Sequence, residues 1–350
     1  MQRSDPKKGN AAFNFDKVFD DTTTNKDVFD DVSDLIQSAL DGYQVCIFSY
    51  GQTGSGKTHT MQGSLDNEEM RGIIPRAVEQ ILRTSEKMKN DGWVYTIKTS
   101  FLEIYNESVN DLFSASSTKD PNKKYTIRHT KAGVNIDGLN EEVLNDYNQL
   151  EGLLARAQRN KSIAATSMNK NSSRSHCCFT LKLVGQNEKR GTEVIGSLNL
   201  VDLAGSERLD RSKVSGDRLK ETLAINKSLS SLVDVFDALA KKSKHVPFRN
   251  SKLTFMLQGC LSGNGKTMMI VNVSPTTKSS NETMCSLRFA KSVNQTELGR
   301  AKKNVSGHGN SRPSTAPENS SSSRLHNSKQ SRIRPATGRS NLHNSKRQRK

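Results

Sequence analysis

The chain has 350 residues and a formal net charge of +17. That length suits one large domain or two ordinary ones, with a core that needs no disulfide or metal staples. Five cysteines without a CxxC pair, and no apolar run of the roughly 18 residues a membrane span needs, argue against a disulfide framework, a zinc site, a signal-peptide core and a membrane span. A reduced, soluble, intracellular protein is expected.

In chain order, residues 1–12 contain no apolar run and are expected to be disordered. YQVCIFSY (43–50) is an apolar run that reads as a strand. It enters SYGQTGSGKTHTM (49–61), which carries GxxxxGK[ST] from Gly51 to Thr58. Glycines at 51, 54 and 56 let backbone N–H groups turn toward an anion. Lys57 adds a charge for β/γ-phosphates, and the Thr58 hydroxyl suits a magnesium ligand. The pattern then predicts a helix over 73–90, with Pro75 in its first turn. A β-branched and aromatic strand follows over 93–106, then a hairpin over 125–139 turning near Gly133, and a helix over 145–161.

NKNSSRSH (169–176) is small and polar. It reads either as a serine-rich surface loop or as a segment that orders on a γ-phosphate and loosens when that phosphate leaves. Residues 176–186 and 193–205 read as paired strands. The second ends at Asp202, followed by Gly205 and Glu207. A carboxylate at the carboxyl end of a strand beside a phosphate loop is placed to hold magnesium through water, and a glycine three residues on lets a backbone N–H approach a γ-phosphate. Ile225, Leu229, Leu232, Phe236 and Leu239 form the stripe of one helix face. Residues 266–275 read as a buried strand and 280–293 as a closing helix. Together these elements make a three-layer α/β domain with a mixed central sheet. Beyond it, residues 301–350 hold twelve Lys/Arg and one acid, Glu318. Such a segment cannot bury enough apolar surface to offset its ordering entropy, so residues 304–350 are expected to be a disordered basic tail. It is either inert, an electrostatic tether to an acidic polymer, or a nuclear-import address near its end.

FNFDKVFD (13–20), YGQTGSGKTHTM (50–61), FLEIYNE (101–107), NKNSSRSH, LVDLAGSER (200–208), INKSLSSL (225–232) and VPFRNSKLT (246–254) together resemble the kinesin motor domain, in family order over about residues 13–303. The resemblance implies a P-loop NTPase that binds Mg-ATP and is stimulated by microtubules, located on the cytoskeleton and in the spindle. By position, Gly51, Gln52, Thr53, Gly54, Ser55, Gly56, Lys57 and Thr58 would hold the phosphates, with His59 beside the adenine. Thr58 and Ser173 would flank magnesium, with Asp202 behind a water. Ser172 would sit near the γ-phosphate, and Gly205 would sense it through its N–H. Arg174 and Glu207 would pair to close the site and align the attacking water. Asn226 would link the following helix to the 169–176 loop. Lys213, Arg218, Lys220, Lys244, Arg249 and Lys252 would face the acidic microtubule surface, with Arg128 and Lys131 as weaker candidates. Asn226-Lys227 continues into Ser228-Leu229 without the Asp of a guanine-reading Asn-Lys-x-Asp element, which favours ATP.

Residues 286–304 are similar to the C-terminal-motor, minus-end-directed class, and no heptad pattern follows, so no dimerisation coil is expected. No nucleic-acid role is expected either. The chain departs from the family pattern at its start. No Arg-x-Arg-Pro strand precedes Phe13, so the first sheet strand and one wall of the adenine pocket are expected to be missing. That leaves an alternative in which the chain is a microtubule-binding protein with a truncated motor fold and little ATPase activity.

Overall fold

The computed structural model describes residues 3–5, 9–114, 123–130, 133–168, 172–207 and 216–307. Two short strands, β1 (Arg3–Asp5) and β2 (Gly9–Ala11), pair antiparallel as a separate ribbon. Then follow α1 (Asn25–Leu40), β3 (Gln44–Tyr50), α2 (Lys57–Met61), α3 (Ile73–Met88), β4 (Trp93–Tyr105), β5 (Ser108–Asp111), β6 (Thr126–Thr130), β7 (Gly133–Asp137), β8 (Glu142–Val143) and α4 (Tyr147–Met168). The second half runs β9 (His176–Asn187), β10 (Thr192–Asp202), α5 (Asp217–Ala240), α6 (Lys252–Leu261), β11 (Lys266–Val271), α7 (Ser280–Asn294) and β12 (Val305–Gly307). Residues 1–309 form one compact unit. The basic tail lies outside the described residues beyond 307.

The main sheet has the order β11-β3-β10-β9-β4-β5, with β12 on β10 and β8 on β4. It is mixed: β3 runs parallel to both β10 and β11, whereas β9 is antiparallel to β10 and β4. β3 is buried at every residue, and its alternation feeds two cores. Val45 and Ile47 pack with Ile36 of α1, Ile81 of α3 and Leu150 of α4. Cys46, Phe48 and Tyr50 pack with Leu232 and Phe236 of α5, Leu257 of α6 and Phe289 of α7. These are the three layers expected.

Helix α1 has no counterpart in the expected elements, yet its start carries a local signal. Thr24 and Asp27 form a capping box, each side chain bonded to the other's backbone N–H, which satisfies two donors the helix leaves unpaired. Helix α4 runs seven residues past the expected end at 161. Strand β11 was expected to be buried. It pairs with β3 alone among the described residues, and each of its six residues is only half-buried. As the edge of the sheet it has a neighbour on one side, so its burial is incomplete.

Candidate functional site

The parallel pairing of β3 and β10 sets Ser49 opposite Asp202, so both strands end at the same edge and release their loops together. The first loop turns through Gly51, Gly54 and Gly56. The last two have φ of +77° and +100°, a left-handed backbone that costs a glycine nothing. Gly51 also lies so close to the chain after β11 that a Cβ there would stand 2.1 Å from the Asn272 carbonyl oxygen. The loop enters α2 at Lys57. The Lys57 ammonium is buried and donates to the carbonyls of Gly51 and Gln52, both at 2.9 Å. Burial holds it below the usual lysine value, and the Asp202 and Glu207 carboxylates pull it back up. Thr58 Oγ1 donates to Asp202 Oδ2 at 2.6 Å, and Ser49 Oγ to Asp202 Oδ1 at 3.2 Å. Lys57, Thr58 and Asp202, 145 residues apart at the extremes, therefore share one site.

The loop leaving β10 closes over the phosphate loop. Ser206 N–H donates to the Gly51 carbonyl at 3.0 Å, and the Gly205 N–H donates to the Ser173 carbonyl at 2.8 Å. Glu207 accepts from the Thr53 N–H at 2.8 Å and from the Thr53 hydroxyl. A Cβ at Gly205 would stand 2.3 Å from Glu207 Oε2 and 2.4 Å from Thr53 Oγ1, so any other residue would push the Glu207–Thr53 contact aside. Gln52 reaches Ser279 at 2.9 Å, and Ser55 Oγ bonds back to the Gln52 carbonyl at 2.8 Å.

One expected contact is absent. Arg174 does not meet Glu207: its Nη1 donates to Glu221 Oε2 at 2.6 Å. Glu221 is buried on the second turn of α5 and also accepts from the Tyr105 hydroxyl at 3.0 Å. Burial and the bond to this carboxylate push the Tyr105 hydroxyl up to about 12. The physical reason for the difference is that both ends of the expected pair already have charge-assisted partners. Arg174 is held by a buried carboxylate, and Glu207 by the two Thr53 donors. Thr53 belongs to the phosphate-loop motif, but its bond to Glu207 does not follow from that motif, and Glu221 carries no motif signal; only the fold makes these pairings.

The remaining candidates are distributed as follows. Ser172, Ser173 and Arg174 form one 3-10 turn just before β9. His59 is exposed, and its carbonyl accepts from Asn25 Nδ2 at 3.1 Å. With Asn25, Thr60, Arg76, Ile270 and Asn272 it lines a cavity of ≈ 950 Å³ that opens between the phosphate loop, α1 and the β11 edge. Asn226 is half-buried on α5. Lys220 is exposed in the first turn of α5. Lys244 and Arg249 are exposed between α5 and α6, and Lys252 is half-buried at the start of α6. Arg218 lies on α5, and Lys213 and Lys131 lie outside the described residues. The Arg249 guanidinium sits 5.5 Å from the Phe255 ring centroid, and the His129 ring of β6 packs edge-on against the same ring with centroids 4.7 Å apart. The hairpin and α6 therefore share a surface, where Arg128 is paired with Asp137.

A family model described as the kinesin motor domain matches residues 1–296. The kinesin-like protein KIN-14N of Oryza sativa subsp. japonica is 52% identical over 292 residues, covering 82% of this chain and 38% of that protein. The kinesin-like protein klpA of Emericella nidulans is 52% identical over 298 residues, covering 84% and 38%. The chain thus spans well under half the length of these curated relatives. Among solved structures, the motor domain of the kinesin-like protein Kar3 from Saccharomyces cerevisiae is similar at 45% identity and a TM-score of 0.71, over 82% of this chain and 86% of that one. The C-terminal motor of Kar3Vik1 is similar at 45% identity and a TM-score of 0.74, over 84% and 75%.

Proposed function

Because the chain belongs to the kinesin motor domain family, we propose that it is a microtubule-stimulated ATPase of the C-terminal-motor class, coupling ATP hydrolysis to its grip on microtubules. The observation that carries this reading is the convergence of Lys57, Thr58, Asp202, Gly205 and Glu207 at the shared end of the parallel strands β3 and β10. The donor set fits Mg-ATP. Among the described residues no three His, Cys, Asp or Glu side chains cluster as a metal site. Two hydroxyls and one carboxylate beside an anion cradle suit a magnesium ion that takes its other ligands from phosphates and water. Thr58, Ser173 and Asp202 would hold it. Bound magnesium neutralises charge on the β- and γ-phosphates.

The chain's own part is positioning. The phosphate-loop N–H groups of residues 51–58 and the Lys57 ammonium bind the phosphates, and His59 borders the base. Ser172 and the Gly205 N–H approach the γ-phosphate once Gly205 lets go of the Ser173 carbonyl. Arg174 leaves Glu221 and Glu207 leaves Thr53 to form the closing pair, which excludes bulk water and orients the attacking one. Asn226 and the rest of α5 carry the rearrangement to the filament face. There Lys220, Lys244, Arg249 and Lys252, with Lys213 and Arg218, meet acidic tubulin.

The test is ATP turnover with and without microtubules at low salt, on this chain and on Glu207→Ala. Stimulated turnover is expected for the chain. The variant is expected to lose turnover by roughly 100-fold, the scale for a group that positions transition-state charge, while keeping its microtubule binding. Turnover that ignores microtubules would rule out the motor reading. Microtubule binding without any turnover would favour a docking protein that keeps the motor fold. Equal rates for chain and variant would remove Glu207 from the chemistry.

A further inference from the structure

The mechanism above leaves one buried titratable side chain unused. His176 opens β9, directly after the Ser172–Arg174 turn, and is 3% exposed. Its Nδ1 lies 3.0 Å from the Ala204 backbone nitrogen. A backbone N–H can only donate, so Nδ1 is the unprotonated nitrogen and Nε2 carries the hydrogen. That N–H points at Ser228 Oγ, 2.7 Å away, and the Ser228 hydroxyl in turn donates to the Ile225 carbonyl at 2.8 Å. All four residues, Ala204, His176, Ser228 and Ile225, are buried. The imidazole stays neutral there, since burial and the nearby Lys57 charge both oppose a second proton.

The two ring nitrogens thus have different partners on different elements. One holds the N–H of Ala204, the residue before Gly205, whose own N–H is bonded to the Ser173 carbonyl. The other holds the middle of α5, beside Asn226. A histidine that merely fills a core needs its polar atoms satisfied by whatever is near. This one spans from the loop that leaves β10 to the helix that follows it, with a single tautomer fixed at the loop end. The orphan capacity at each end is used up, so neither partner can move without pulling the ring or breaking a buried hydrogen bond.

We propose that His176 is a positioning residue that transmits displacement of residues 204–205 to α5, through its neutral Nδ1-acceptor tautomer and Ser228. This rests on the reading of α5 as the helix that carries nucleotide state to the filament face. It assigns to His176 and Ser228 a coupling role, with no contact to nucleotide or filament.

The test uses the full 350-residue chain, two single variants and the double variant. His176→Asn keeps an acceptor near the Nδ1 position and loses the reach to Ser228. Ser228→Ala removes the same link from the helix side with little change of volume. Three quantities are measured for each: ADP affinity, melting temperature, and the ratio of microtubule affinities with a non-hydrolysable ATP analogue and with ADP. ADP affinity is expected to stay within about two-fold, whereas the affinity ratio falls by at least about five-fold in either variant, the lower end of typical coupling. The double variant is expected to fall no further than the singles, because both break one link. Should His176→Asn fail to fold, Ser228→Ala carries the test alone. Variants that melt earlier but keep the wild-type ratio would overturn the inference and leave His176 a core residue. A wild-type ratio of one would overturn the reading of α5 and the inference with it, so the two failures are told apart by the wild-type measurement.

Discussion

On the phosphate side of the cleft, Lys57, Thr58, Asp202 and Glu207 each have a hydrogen-bond partner at 2.9 Å or less, and all sit at the ends of two parallel strands. On the base side, the cavity of ≈ 950 Å³ is walled by four separate stretches around residues 19–28, 55–60, 68–76 and 270–273. One wall is the end of an edge strand whose residues are only half-buried. The phosphate side is held by direct hydrogen bonds between two loops that leave paired parallel strands at the same edge. The base side depends on how distant segments pack. A change on the phosphate side should therefore strike the chemistry, and a change on the base side should strike binding alone.

The sharpest way to break this comparison is Lys57→Met. The substitution keeps the stem and removes the ammonium that Gly51 and Gln52 now hold. Turnover is expected to fall at least about 100-fold, as for loss of one preorganised charge at a transferring phosphoryl group, measured by steady-state phosphate release. A loss of ten-fold or less would mean that the cradle works through its backbone N–H groups, and that the strand-end geometry alone carries the phosphate side.

The same contrast explains what could be read from the residues in advance. The phosphate loop, the Asp202 strand end and the paired strands β9 and β10 were legible because each is a contiguous stretch whose pattern states its own geometry. The stripe from Ile225 to Leu239 likewise announced α5. Helix α1 was legible too: Thr24 and Asp27 spell its cap, and Phe29, Val32, Ile36 and Leu40 make a buried stripe with acidic residues between them. The half-burial of β11 was not legible from KTMMIV, since an apolar run does not say how many neighbours its strand has. Likewise the family resemblance pairs Arg174 with Glu207. In the fold it meets Glu221, 47 residues on, because α5 brings a buried carboxylate with a single phenol donor within reach. Side-chain partners of this kind are set by tertiary packing, which no local pattern records.

An acid titration tests the layer beneath the phosphate side. The His176 ring is held down to about 3 by burial and by Lys57, against an ordinary value of 6.5 in the unfolded chain. Between those values the unfolded chain binds the extra proton and the native state does not. The stabilisation is therefore fully present above about pH 6.5 and is lost as pH falls toward 3. Between pH 8 and pH 5 this single group is expected to lower stability by about 2 kcal/mol, read from urea midpoints. In His176→Asn that part of the pH dependence should vanish, leaving the slope of the carboxylates. An unchanged slope in the variant would mean that His176 is protonated in the native state, and that its Nδ1 does not accept from Ala204.

The smallest effect is expected on the base side, at Asn25. Its Nδ2 donates to the His59 carbonyl at 3.1 Å and to the Met70 carbonyl at 3.2 Å, tying the start of α1 to two walls of the cavity. These bonds are exposed, so water replaces much of what Asn25→Ala removes, and the net loss should be about 0.7 kcal/mol. If nucleotide binding needs the wall that these bonds hold in place, at most that much is lost from binding, and KM for ATP rises by up to roughly three-fold. kcat is expected to hold within about two-fold, because Lys57, Thr58, Asp202 and Glu207 bond to other partners and a wall that only seats the base acts equally before and during reaction. The informative alternative is a kcat that drops with KM unchanged. That result would mean the His59 carbonyl, at the second residue after Lys57, passes strain from the base wall directly into the phosphate loop, and the two sides of the cleft would have to be treated as one mechanical unit.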